Sequence, residues 1–200
     1  METEALTHDS LLRIFGERGA LLEGHFLLSS GLHSARYLQC ARVLMDPPLA
    51  TRLGAELAAT LEPSLASTPA AVVSPAIGGI VIGQEVARGL GCLALFSERQ
   101  DGRMALRRGF ELAAGDGVVV VEDVITTGGS TREVMELVHG KGGRVLGVGC
   151  VVDRSGGVEL GVPLRSLLTL EVPTHAAAAC PLCVAGGTPE KPGSRTRPAR

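Results

Sequence analysis

Residues 118–121 are four consecutive valines, followed at once by Glu122 and Asp123. In a strand, successive side chains point to opposite faces. Apolar residues at every position therefore demand cover on both faces, which is the condition of a parallel sheet packed between helices. Similar runs occur at AAVVS (70–74), CLALF (92–96), RVLGVGCVVD (144–153) and LRSLLTL (164–170). Helical segments fall between several of them. One follows Asp46-Pro47-Pro48, an N-cap with proline in the first turn, and runs to about Leu61. A second spans about Ile80 to Arg88. A third is capped by Ser130 or Thr131 and reaches about Lys141. Strands alternating with helices predict an α/β fold: a parallel sheet of five core strands with helices on both faces.

The remaining segments are shorter. Residues 7–18 suit an amphipathic helix capped at Thr7. Residues 24–45 read as two short strands, or a strand and an extended segment, around a Ser-Ser-Gly turn. Residues 97–110, SERQDGRMALRRGF, are charged and aperiodic and join two strands. The tail, residues 186–200, is rich in Gly, Pro and Arg and is expected to be loosely ordered.

Two hundred residues, 45% of them hydrophobic, suit one domain with a sizeable core. A net charge of −2 argues against a bulk nucleic-acid binder or a membrane-surface protein. The polar, acidic start lacks a signal-peptide pattern, and no apolar run approaches the roughly 18 residues of a membrane span. The expected location is cytoplasmic. Five scattered cysteines are an odd number and no disulfide framework; Cys92 and Cys150 read as buried thiols.

The chemistry concentrates in VVVVEDVITTGGST, residues 118–131. Ligands of parallel sheets bind beyond the carboxyl ends of strands, where Glu122 and Asp123 fall. Thr126, Thr127, Gly128, Gly129 and Ser130 then lead into a helix. Glycines admit a close ligand, and a helix N-terminus favours an anion such as phosphate. The two acids cannot serve that phosphate. They suit ribose hydroxyls, a magnesium ion or a developing positive charge. A ribose 5-phosphate meets both requirements. The Walker A pattern and the G-x-G-x-x-G fingerprint are absent here.

VVVVEDVITTGGST resembles the phosphoribosyl-pyrophosphate motif of the type I phosphoribosyltransferases. Further segments resemble the orotate-using branch of that family: HFLLSSGLHSARYLQ its N-terminal segment, SPAIGGIVIG its pyrophosphate loop, FSERQDGRMALRRGF its mobile catalytic loop, and VVDRSGG a base-site segment. The likeness spans about residues 10–190 in consistent order. It implies a type I phosphoribosyltransferase-like fold: a domain over 1–190, with a small N-terminal hood mainly in 1–45 and a core over about 46–175. It implies transfer of a phosphoribosyl group from 5-phosphoribosyl 1-pyrophosphate to orotate, with magnesium carried mainly by the pyrophosphate, and a homodimer whose mobile loop reaches the neighbouring site.

Residue by residue, the resemblance assigns the donor to Glu122, Asp123, Val124, Ile125, Thr126, Thr127, Gly128, Gly129 and Ser130, with Asp123 also catalytic. It assigns orotate to Thr126 and Arg154, and Tyr37 lies near positions that stack on the base. Arg99, Arg103, Arg107 and Arg108 would form a lid over pyrophosphate, with Arg99 or Arg103 catalytic. Here the chain departs from the family, whose familiar members carry lysines on this loop. This chain has no lysine before Lys141. Gly78 and Ser29 also stand where some members have lysine. Arginine stays protonated, so it can supply charge but is a poor proton donor.

Cys180-Pro-Leu-Cys183, with His175 upstream, is an incomplete ligand set for structural zinc. His8, His25, His33 and His139 read as structural or surface residues, with His33 nearest the base segment. Two rivals share these features. A purine-base phosphoribosyltransferase is separated by Arg154, since a base bearing a carboxylate calls for a cation. A nucleotide-sensing regulator would want a basic face or a helix-turn-helix.

Overall fold

The computed structural model describes residues 6–28 and 30–192, so the expectations for Ser29 and for residues 193–200 lie outside the described residues. Helix α1 (His8–Glu17) opens the chain. Its Thr7 cap accepts a hydrogen bond from the Ser10 amide at 3.2 Å. Strands β1 (Leu21–Leu27) and β2 (His33–Leu38) form an antiparallel hairpin, extended by the short β9 (Thr174–His175) into a three-stranded sheet in the order β1-β2-β9. After the single turn α2 (Ala41–Leu44), helix α3 (Pro47–Leu61) starts where Asp46 accepts from the Leu49 amide.

The main sheet contains β3 (Ala71–Pro75), β4 (Leu93–Gln100), β5 (Arg103–Leu106), β6 (Gly117–Ile125), β7 (Arg144–Asp153) and β8 (Leu164–Thr169). Its order is β5-β4-β3-β6-β7-β8. Five strands are parallel, and β5 runs antiparallel at the edge. Helices α4 (Gly79–Leu90) and α5 (Gly129–Gly140) complete the core, and the single turn α6 (Pro181–Val184) lies near the C-terminus.

The valine run explains the layering. Val119 and Val121 pack into a core cluster with residues of α1 to α4; Val118 and Val120 pack into another with Val134, Met135 and Val138 of α5. One strand therefore serves two hydrophobic layers, and a polar residue at any of the four positions would lose burial on one face.

Helices α3 and α4 meet through glycine. A Cβ at Gly54 would overlap the Glu85 side chain and lie 2.7 Å from its backbone carbonyl carbon, and one at Gly89 would lie 2.6 Å from Ala58 Cβ. At the start of α4, a Cβ on Gly79 would lie 3.0 Å from the Val121 carbonyl oxygen. The β3–α4 loop is thus pressed onto β6 just before its two acids.

Three expectations change. The segment 97–110 is an ordered hairpin: β4 turns at Asp101-Gly102, both with positive φ (51° and 81°), and returns as β5. Paired positive φ values match the twist of a tight hairpin. Neither Ser130 nor Thr131 caps α5. Gly128 does, at φ 74° with no side-chain cap; Ser130 and Thr131 already lie inside the helix, and the Ser130 hydroxyl bonds Glu122. The described part of the tail is tied down, with the Glu190 amide donating to the His25 carbonyl at 2.8 Å and the Leu27 amide to the Glu190 carbonyl at 2.7 Å.

Candidate functional site

Loops after β3, β6 and β7 converge at the carboxyl end of the sheet. Glu122 and Asp123 sit near the end of β6. Glu122 is buried, and the Ser130 hydroxyl donates to its Oε1 at 2.6 Å. This bond closes the β6–α5 loop on itself and fixes the turn between. Asp123 accepts from the Val124 amide at 3.0 Å. A Cβ at Gly78 would lie 2.7 Å from both Asp123 carboxylate oxygens. In this backbone, a side chain at position 78 would displace that carboxylate, which gives the glycine a structural reason.

Burial holds Asp123 above the usual carboxylate range. It pushes Glu122 up to about 7, with the Asp123 charge adding and the Ser130 hydrogen bond opposing. A carboxyl raised in the folded state keeps a proton that the unfolded chain has lost. Its stabilising contribution is present below about pH 4.5 and disappears as pH rises through about 7. The ceiling on this effect is on the order of 3 kcal/mol. Glu122→Gln is therefore expected to flatten the fall in stability across that window, read from urea midpoints of both proteins at about pH 5 and about pH 8. Parallel pH slopes in the two proteins would refute this.

Thr126 and Thr127 are exposed at the mouth of the loop, with Gly128 buried behind them. The first amides of α5 open at this point and offer an anion cradle. Arg132, which no local pattern singles out, braces the loop. It donates to the Thr127 carbonyl at 3.0 Å and to the Glu159 carbonyl at 2.9 Å. Val124 and Ile125 are strand residues; Ile125 is buried in the core, and its carbonyl accepts from the Arg154 amide at 2.9 Å. They position the site through the backbone.

A cavity of about 390 Å³ lies between the N-terminal sheet and the core. Tyr37, Leu28 and Leu32 line one side; Thr126, Thr127 and Arg154 line the other. Arg154 is anchored by a tight turn in which the Ser155 amide donates to Asp153 Oδ1 at 2.8 Å and the Val158 amide to Ser155 Oγ at 3.0 Å. Its guanidinium is half-buried, and burial alone lowers its pKa. Among the described residues it has no ion-pair partner. Tyr37 packs against Phe26 at a ring-centroid distance of 5.8 Å, so its ring is both core and cavity wall.

The four hairpin arginines divide into two pairs. Arg99 makes a two-pronged ion pair with Glu133 of α5, at 2.8 and 3.0 Å. Arg108 makes another with Glu98, at 2.9 and 3.0 Å, and lies over the Phe96 ring. Arg103 and Arg107 are exposed and form no ion pair among the described residues. None of the four lines the cavity.

His25, His33, Cys180 and Cys183 have ligand atoms within 4.8 Å of one another. Counting only Cys180, Cys183 and His175 therefore misjudges the set. His175 belongs to β9, opposite His33, and the two histidines read as structural fill are the missing pair.

The phosphoribosyl transferase domain family matches residues 44–160. The chain is 54% identical to the orotate phosphoribosyltransferase of Acidithiobacillus ferrooxidans over 192 residues, 95% of this chain and 98% of that one. It is 50% identical to that of Caldicellulosiruptor bescii, covering 96% and 100%. Among solved structures, orotate phosphoribosyltransferase from Aeropyrum pernix superposes with a TM-score of 0.67 at 30% identity, covering 80% of this chain and 94% of that one. Adenine phosphoribosyltransferase from Thermoanaerobacter pseudethanolicus shares the fold, with a TM-score of 0.59 at 19% identity, covering 68% and 88%.

Proposed function

The chain belongs to the phosphoribosyltransferase family, in its orotate phosphoribosyltransferase branch, and from that premise we propose how its residues divide the work. The reaction moves the phosphoribosyl group of 5-phosphoribosyl 1-pyrophosphate to a ring nitrogen of orotate. It yields orotidine 5′-monophosphate and pyrophosphate, a step of de novo UMP biosynthesis. Among the described residues no helix is long and apolar enough to cross a membrane, and we assign the reaction to the cytoplasm.

The observation that carries the assignment of the base is Arg154: a half-buried guanidinium without an ion-pair partner among the described residues, on the wall of the cavity beside the Thr126–Thr127 cradle. A planar fork of donors matches a carboxylate, and a purine has none. Thr126 meets the base from the cradle side and Tyr37 from the hood. The cradle, residues 126–130, takes the 5-phosphate through its amides and hydroxyls. Glu122 and Asp123 accept from the ribose hydroxyls.

As the bond between ribose and pyrophosphate breaks, positive charge grows on the sugar and a bond forms to the orotate nitrogen. Asp123 lies closest to the β3–α4 loop and provides negative charge there. Its carboxylate has no cationic partner among the described residues, so it also fits the hydration shell of a magnesium ion carried by the donor. Bound magnesium would neutralise charge on the departing pyrophosphate.

The hairpin provides the remaining charge. Arg99 is committed to Glu133 and Arg108 to Glu98, so Arg103 and Arg107, exposed and without an ion pair among the described residues, are left to meet pyrophosphate, and we assign the main contact to Arg103. We assign that contact to a neighbouring protomer in a homodimer. Because arginine contributes charge and not a proton, Arg103→Lys should keep most of kcat, and Arg103→Ala should lose about tenfold or more. Steady-state rates of the three proteins decide, and a fully active alanine variant would sink the assignment.

The function itself is tested by mixing the protein with magnesium, the donor and orotate, following orotate absorbance, with adenine, hypoxanthine and uracil in parallel. Consumption of orotate alone is expected. Turnover of a purine would overturn the role of Arg154 and keep that of residues 118–131.

A further inference from the structure

A second cluster lies apart from the donor site, where the hood hairpin meets the C-terminal segment. His25 of β1 and His33 of β2 face each other with Nε2 and Nδ1 3.0 Å apart. His25 Nε2 is 3.5 Å from Cys180 Sγ and 3.7 Å from Cys183 Sγ, and His33 Nδ1 is 3.3 Å from Cys183 Sγ. Hydrogen bonding does not account for this convergence. A neutral imidazole nitrogen is either one donor or one acceptor, yet His25 Nε2 has three partners.

The distances match another arrangement. Four ligands at about 2.0 Å for nitrogen and about 2.3 Å for sulfur around a tetrahedral zinc give N–N edges near 3.3 Å and N–S edges near 3.5 Å. The residue types are two thiols and two imidazoles, the set that selects zinc over harder cations. His33 and Cys180 are buried and His25 and Cys183 partly so, and four protein ligands fill a tetrahedral shell, as befits a structural centre.

The backbone is shaped for it. Cys180 is the N-cap residue of α6; the Val184 amide donates to the Cys180 carbonyl at 3.1 Å and the Gly186 amide to the Cys183 carbonyl at 2.9 Å. This folds the two thiols to one side of a tight turn. The chain then passes His25 at Gly187, where a Cβ would lie 3.2 Å from its Nδ1.

We infer that His25, His33, Cys180 and Cys183 bind one zinc ion, which fastens the C-terminal segment to the hood hairpin. The consequence reaches the base pocket. His33 follows Leu32, which lines the cavity with Leu28 and Tyr37 of the same hairpin. The clasp joins the strand pairing of Glu190 with β1 and the Ser34 hydroxyl donating to the Pro173 carbonyl at 3.2 Å. Together they hold the wall that Tyr37 presents to the base.

The test uses the full chain, purified without an affinity histidine tag and without chelator. Elemental analysis should find about one zinc per chain, and Cys183→Ser and His33→Ala should lose it. Should those variants fail to fold, the parent protein decides. Exchanged into cobalt, it should show the intense visible bands of tetrahedral Co²⁺ with a thiolate charge-transfer band. Stripping the zinc and restoring only magnesium should raise KM for orotate by about threefold or more, through lost preorganisation, with donor affinity unchanged. Zinc below about a tenth of an equivalent, with no tetrahedral cobalt spectrum, would overturn the site. So would a Cys180–Cys183 disulfide in protein prepared under reducing conditions. An unchanged KM after stripping would overturn the link to the pocket.

Discussion

Alanine in place of Arg154 should raise KM for orotate by about 10²-fold or more, while the affinity for the phosphoribosyl donor stays unchanged. The size follows from the setting. Truncating one partner of a buried charge pair costs about 2–5 kcal/mol, and each 1.4 kcal/mol is about tenfold. The Arg154 guanidinium is half-buried and has no protein carboxylate among the described residues, so the incoming carboxylate would be its partner and would complete its burial. Lysine should recover only part of the loss, because an ammonium cannot offer two parallel N–H donors. Uracil, which lacks the carboxylate, gives an internal control: its poor use should change little in the alanine variant. Steady-state kinetics with both bases measure this. An unchanged KM for orotate would remove Arg154 from the site.

The second large effect is expected at Asp123. Asparagine keeps its shape and removes its charge, and the change should lower kcat by about 10²–10³, with a smaller effect on KM for the donor. Glu122→Gln should act differently. Glu122 is buried, carries a proton up to about pH 7 and is already engaged by Ser130. Its replacement should weaken donor binding more than turnover. The contrast between the two variants, read as kcat against KM, tests whether the acids share one role. Equal losses in kcat would show that they do.

Much of the fold was legible in the sequence, and the physics explains which parts. The valines of β6 announce burial on both faces, and the acids and glycines after them mark the carboxyl end of a strand and the turn into α5. Asp46 and Thr7 are caps that act locally, and the structure keeps both. The failures are long-range. Ser130 looks like a cap from its neighbours, but its hydroxyl answers to Glu122, eight residues back. Arg99 looks like a free cation until α5 brings Glu133 beside it. The two histidines carried no signal, because their meeting depends on the hairpin register, with His33 opposite Leu27 and a bulge between Glu23 and Phe26. No local pattern records that bulge.

The pairing of β1 with Glu190 also sets an order of events during synthesis. His25 and Cys180 are 155 residues apart. At about 5–20 residues per second, the ribosome would need roughly 8–30 s after making the first to deliver the second. An isolated two-stranded hairpin is marginal in water. The hood hairpin is therefore made well before the segment that completes it, and the nascent protein spends that interval with the edge of β1 unpaired.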